Sequence, residues 1–157
     1  MKNDKTLFQI AGLGIISGMR ATFAAATIAH FFSNRHNKAL SKSKLHFIQS
    51  PSAAIVTKIL SAAEITTDKL PNTPDRIVAP QVMARVAAGA FAGAVITTAN
   101  KDSIAKGILI GGITALAATF GTYYLRKYVG ESTVIKEPVT GALEDILAVT
   151  GGVLLMK

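Results

Sequence analysis

The chain has 157 residues, of which 50% are hydrophobic and only 17% charged, with a mean hydropathy of +0.40; that excludes a disordered chain and is too apolar for an ordinary soluble domain, where about 25% of residues are charged. Cysteine is absent, which excludes disulfide scaffolds, thiolate metal sites and cysteine nucleophiles. The net charge of +8 suits nucleic acid or an anionic membrane surface, but Trp is missing, aromatics are 6% and no helix-turn-helix or zinc-finger spacing is present, so no nucleic-acid partner is expected.

The first apolar run covers residues 7–32 and is interrupted by one charge, Arg20. About twenty residues cross the hydrocarbon of a bilayer, so this run is long enough to span it with tilt. Arg20 breaks the apolar stretch and basic residues flank both ends, which favours a retained helix over a secretory signal. Residues 33–50 are polar and basic, with Arg35, Lys38, Lys42 and Lys44 and no acidic residue; they read as a loop or an interfacial segment drawn to anionic headgroups. Pro51 then suits the first turn of a helix over 52–65. Carrying Lys58 and Glu64, this helix is half-length or re-entrant, or else continues through Thr67 towards Asp68.

Asp68-Lys69-Leu70-Pro71-Asn72-Thr73-Pro74-Asp75-Arg76 and the residues up to Pro80 form a proline-rich turn. A segment rich in alanine and glycine follows at 85–99. Across the short polar connector 100–103 lies 104–125, the second convincing span and an antiparallel neighbour of its predecessor. Arg126, Lys127 and Tyr128 close that helix with Tyr123 and Tyr124 just inside, as interfacial anchors do. The last helix is expected over 139–156, opened by Pro138 and carrying Glu144 and Asp145. The whole chain, 1–157, reads as one membrane domain.

Gly14 and Gly18, Gly89 and Gly93, and Gly107 and Gly111 each have the spacing that lets helix backbones approach closely in lipid; a homodimer or larger assembly through these faces is expected. Ala21-Thr22-Phe23 is echoed by Ala118-Thr119-Phe120, the trace that a duplicated half would leave. If all five candidate helices cross, basic residues divide seven against seven between the two sides, so charge sets no orientation. That balance fits dual insertion, or a short helix that does not cross.

Ionisable groups at membrane depth cost about 2.5 to 3.5 kcal/mol each and need partners or water. Arg20, Lys58, Glu64, Arg85, Glu144 and Asp145 are three positive and three negative charges. In one reading they neutralise one another, with Arg20 or Arg85 pairing with Glu64 or Asp145 to fix helix register. In the other they line a cavity that binds a headgroup, an anion or a proton. Glu64 and Asp68 would share one face of a continuous helix, with Lys69 adjoining.

His30, His36 and His46 have no metal-ligand spacing, Gly12-Leu13-Gly14 is an incomplete nucleotide fingerprint inside an apolar run, and the common hydrolase and nucleotide motifs are missing. No metal, cofactor or catalytic residue is expected. A membrane-embedded lipid enzyme using Glu64, Asp68, Glu144 or Asp145 as acid or base is the third-ranked reading.

Ser17-Gly18-Met19-Arg20, Glu64 followed by Asp68-Lys69-Leu70-Pro71, Arg85 followed by Gly89-Ala90, and Glu144-Asp145 stand in this order in the chain. Together they resemble the domain of unknown function 4126 family of small bacterial membrane proteins, over residues 12–152. The chain departs from that pattern in having Val86 after Arg85, where relatives have proline, and a basic insertion before Pro51. The resemblance implies a multi-pass helical protein of the bacterial inner membrane with no established activity. It points to Arg20, Glu64, Asp68, Lys69, Arg85, Glu144 and Asp145 as the polar site.

The expectation is therefore an all-α, polytopic membrane bundle of four or five helices, some short or re-entrant, whose partners are membrane lipids, further copies of itself and a small ionic ligand. Transport or lipid handling through intramembrane charges is the leading function, and a structural membrane protein with internal ion pairs is the alternative.

Overall fold

The computed structural model describes residues 2–67, 77–132 and 137–157, and the described residues are all-α. The apolar run at 7–32 is not one helix. It forms α1 (Lys2–Met19) and α2 (Phe23–Asn34), separated by Arg20, Ala21 and Thr22. The chain turns back there, because Phe31 and Phe32 near the end of α2 line the same cleft as Lys5, Thr6 and Gln9 near the start of α1. The expected single span is thus a helical hairpin. The tripeptide echo does not mark a structural repeat either, since Ala21-Thr22-Phe23 sits at a helix break while Ala118-Thr119-Phe120 lies inside a continuous helix.

Residues 33–50 are more ordered than a loop. They contain the four-residue helix α3 (Lys38–Ser41) and a 3-10 turn at His46–Gln49. Asn37 caps α3 by accepting the amides of Ala39 (2.9 Å) and Leu40 (3.2 Å), and it donates to the carbonyl of Ala99 (3.2 Å). Leu40 and Ile48 are buried against the core. A side-chain oxygen at a helix start satisfies amides that have no partner within the helix, so one asparagine both starts α3 and ties the basic segment to the bundle.

Pro51 opens α4 (Pro51–Thr67), which takes the longer of its two expected lengths. The next helix, α5 (Ala79–Asn100), starts six residues before the expected 85. Pro80 lies in its first turn, where the missing N–H costs nothing and the fixed φ favours entry, so this proline begins a helix rather than ending the turn. At the other end Lys101 adopts a left-handed φ of 59°, and the amides of Lys101 and Asp102 return to Thr98 and Thr97. α6 (Ile104–Ser132) and α7 (Glu137–Met156) both extend beyond the expected bounds. Asp102 accepts the Ser103 amide (2.7 Å) and faces Lys106 (3.5 Å). That amide bond, then Lys106, hold its carboxyl below the usual value against the opposing effect of desolvation.

α1, α5 and α6 form the tightest part of the bundle. Gly93 faces Gly107, and one turn along Gly89 faces Gly111, so α5 and α6 run antiparallel with backbone against backbone. Gly14 and Gly18 of α1 pack on the same α6, against Thr114 and against Ala115, Ala118 and Thr119. The glycine faces expected to join separate copies therefore meet within one chain. α7 lies beside α1, where the Gln9 amide donates to the Leu155 carbonyl (2.8 Å), and beside α2, where Gly152 faces Thr27.

Polar and apolar groups are distributed against the usual rule. Arg20, Arg85, Ser17, Thr97 and Thr119 are buried, while Leu109, Ile113, Leu147 and Leu154 are each more than 60% exposed. Among the described residues two helices are long and apolar enough to cross a membrane, Ala79–Asn100 and Ile104–Tyr128. The first of these, and not residues 7–32, is the other long apolar helix beside α6.

Candidate functional site: a buried charge layer

Arg20 stands where α1 ends, and its side chain enters the bundle rather than reaching solvent. Its Nε lies 2.7 Å from Asp145 Oδ1, and Arg20 as a whole is 2% exposed. The neighbouring acid, Glu144, pairs through Oε2 with Arg126 Nη2 at 2.7 Å. Adjacent carboxylates of α7 thus hold arginines from two other elements, the α1–α2 turn and α6. Both guanidiniums reach one place on α7, since a Cβ added to Gly141 would lie 3.8 Å from Arg126 Nη2 and 3.9 Å from Arg20 Nη2.

Glu64, near the end of α4, closes the turn from the other side. Its two oxygens accept the amide of Ala21 (2.8 Å), the amide of Thr22 (2.9 Å) and the Thr22 hydroxyl (2.5 Å). The first amides of a helix have no intrahelical partner, and Thr22 makes no side-chain cap of its own for α2. An acid 42 residues further along the chain therefore supplies the cap, and a carboxylate at a helix start is also favoured by the helix dipole. Glu64→Ala is expected to cost about 1–3 kcal/mol by leaving those donors unsatisfied, with faster amide exchange at Ala21 and Thr22 than in wild type. Unchanged exchange at both amides would remove Glu64 from this role.

Arg85 is buried, at 2% exposure. It lies one turn before Gly89 on α5, and the pairing of Gly89 with Gly111 brings it level with Ala115, whose carbonyl also faces Gly18. Arg20, two residues after Gly18, belongs to the same layer. Arg20, Glu64, Arg85, Glu144 and Asp145 are thus gathered towards one end of the hairpin. Asp68 and Lys69 lie outside the described residues, and with them the expected shared face of Glu64 and Asp68.

Two participants go unrecognised in the sequence. Arg126 reads as an interfacial anchor because Lys127 and three tyrosines surround it, yet it forms an ion pair with Glu144. Thr22 reads as part of an apolar helix, yet it binds Glu64 at a chain reversal. Neither carries a local signal, since both partners are remote. Among the described residues no three His, Asp or Glu side chains group as a metal site.

Of the residues that carried the resemblance, Arg20 and Arg85 are buried, Asp145 pairs with Arg20, and Glu144 pairs with Arg126. Neither a curated protein nor a solved structure gives a significant match. The model of the family described as Domain of unknown function (DUF4126) matches residues 7–157, essentially the whole chain, and the protein belongs to that family.

Proposed function

We propose that this is a multi-pass protein of the bacterial inner membrane that uses its buried charge layer to bind an ionic substrate or headgroup, in transport or lipid handling. The observation that carries this reading is the helix break at Arg20, set directly beside two arginine–carboxylate pairs inside a bundle with an aliphatic exterior. Interrupted helices and ionisable groups are costly at membrane depth, and where they persist they commonly line a substrate route. One observation favours the alternative, a static internal lock: both oxygens of Glu64 are engaged by the backbone and hydroxyl of the turn.

The hairpin also supports an orientation. With α1 and α2 running in opposite directions, Lys2 and Lys5 join Arg35, Lys38, Lys42, Lys44, Lys101, Lys106 and Lys157 at one end. Even if the other end is credited with Arg126 and Lys127 and, from sequence alone, with Lys69, Arg76 and Lys136, the division is nine against five. The seven-to-seven balance arose from counting residues 7–32 as a crossing. By the positive-inside rule the richer end faces the cytoplasm.

Because the chain has no native cysteine, single cysteines report cleanly. In intact cells a membrane-impermeant maleimide is expected to label Ser132→Cys but to reach Ser43→Cys and Ser103→Cys only after permeabilisation. Labelling of Ser43→Cys and Ser103→Cys in intact cells would reverse the orientation, and labelling of only one of them would show that α4 and α5 do not both cross. Gly141→Cys, beside both guanidiniums, is expected to react with a small charged thiosulfonate if the layer is open to water. A Gly141→Cys that stays inert while Ser132→Cys reacts would favour the static lock.

A further inference from the structure

At the end of the bundle opposite the charge layer is a cleft of about 480 Å³. The start of α1, the end of α2, the α2–α3 connection, the end of α5 and the end of α7 converge on it. Its volume falls in the range of small-ligand sites, about 300–1,000 Å³. We propose that this cleft binds the phosphate of an anionic phospholipid headgroup.

Three features of the lining support this assignment. First, Lys5 and Lys157 are exposed and line the cleft, and no Asp or Glu side chain does. The charged side chains of the lining are therefore both positive, which suits an anion. Second, the polar wall is already held in place. Gln9 is tied to the Leu155 carbonyl at 2.8 Å, and Asn37 to the Ala99 carbonyl at 3.2 Å, so the elements that carry the lysines are fixed before a ligand arrives, and binding costs less ordering entropy. Third, the inner lining is apolar: Phe32, Ile96 and Met156 are buried there. A free inorganic anion has no use for such a lining, whereas the glycerol and first methylenes of a lipid do.

The setting matches this chemistry. The basic segment 33–50 and the α5–α6 connector lie at the same end, and basic pockets between helices on the cytoplasmic side are a recurrent way of holding anionic headgroups. The assignment rests on the membrane reading above but not on transport. Titration in micelles tests the cleft and cysteine labelling tests the topology, so either can fail alone.

The test uses the full-length protein in a neutral detergent, titrated separately with phosphatidylglycerol, phosphatidylcholine and inorganic phosphate, with thermal stability and native mass spectrometry as readouts. Phosphatidylglycerol is expected to bind more tightly than phosphatidylcholine. The variant Lys5→Gln/Lys157→Gln is expected to bind it roughly 30-fold more weakly, since each lysine near an anionic lipid contributes about a fivefold factor. The control Lys42→Gln/Lys44→Gln, which removes equal charge from exposed positions outside the cleft, is expected to change binding less than about twofold. Equal losses in the two variants, or equal binding of the two lipids, would overturn the proposal in favour of diffuse surface attraction. Stabilisation by inorganic phosphate that matches phosphatidylglycerol and disappears in the cleft variant would reject the lipid as the source of the anion.

Discussion

Arg20→Gln is expected to destabilise the protein by about 3–5 kcal/mol, because removing one member of a buried ion pair leaves the other charge uncompensated. The geometry supports the upper part of that range. The Arg20 side chain is only 3% exposed and that of Asp145 19%, so water can do little to replace the lost partner. Asp145→Asn should also destabilise, since the Arg20 guanidinium then loses the carboxylate 2.7 Å from its Nε. The double variant Arg20→Asp/Asp145→Arg should recover part of the loss if pairing is the main contribution, and the coupling energy of the cycle measures that part. Reversible unfolding in mixed micelles is the measurement. Single variants as stable as wild type would show that the pair does not hold the fold together. A single variant that stays folded but loses binding of an ionic ligand would support the transport reading over the static lock.

Gly93→Val is expected to cost at least about 1–3 kcal/mol, the usual range for forcing extra atoms into a packed interior. A Cβ at Gly93 would run into the backbone of Gly107, and one at Gly107 into the backbone of Gly93. Neither neighbour is a flexible side chain that could swing away, so α5 and α6 would have to separate. Gly111→Val should behave alike, since its Cβ would meet the backbone of Gly89. Gly121→Ala is the internal control: nothing lies within 4 Å of its Cβ position, and replacing a glycine inside a helix should be neutral or stabilise by up to about 1 kcal/mol. If Gly93→Val and Gly121→Ala were equally well tolerated, close backbone contact would not be what joins α5 to α6.

A further consequence concerns self-association. The small-residue faces are used inside the chain, so a second copy would have to meet the aliphatic exterior around Leu109, Ile113, Leu147 and Leu154 instead. The glycine spacing correctly announced close helix contact, but spacing carries no information on whether the contact is within or between chains.

What was legible in the sequence follows from local chemistry. Apolar composition and helix-length runs determined the all-α class, and the short connector at 100–103 determined that α5 and α6 are antiparallel neighbours. The motifs around Arg20, Arg85 and Glu144-Asp145 determined the family, and the cost of buried charge singled out the same residues. Only the tertiary structure decided the reversal at Arg20, because Arg20-Ala21-Thr22 contains neither proline nor glycine and the carboxylate that satisfies its amides comes from Glu64, beyond the reach of any local pattern. Tertiary structure also decided that Arg126 belongs to the charge layer, since its partner is brought to it only when α7 folds back along the bundle. The excess of basic residues at one end follows from the same reversal, because the side on which Lys2 and Lys5 emerge depends on whether residues 7–32 cross or return.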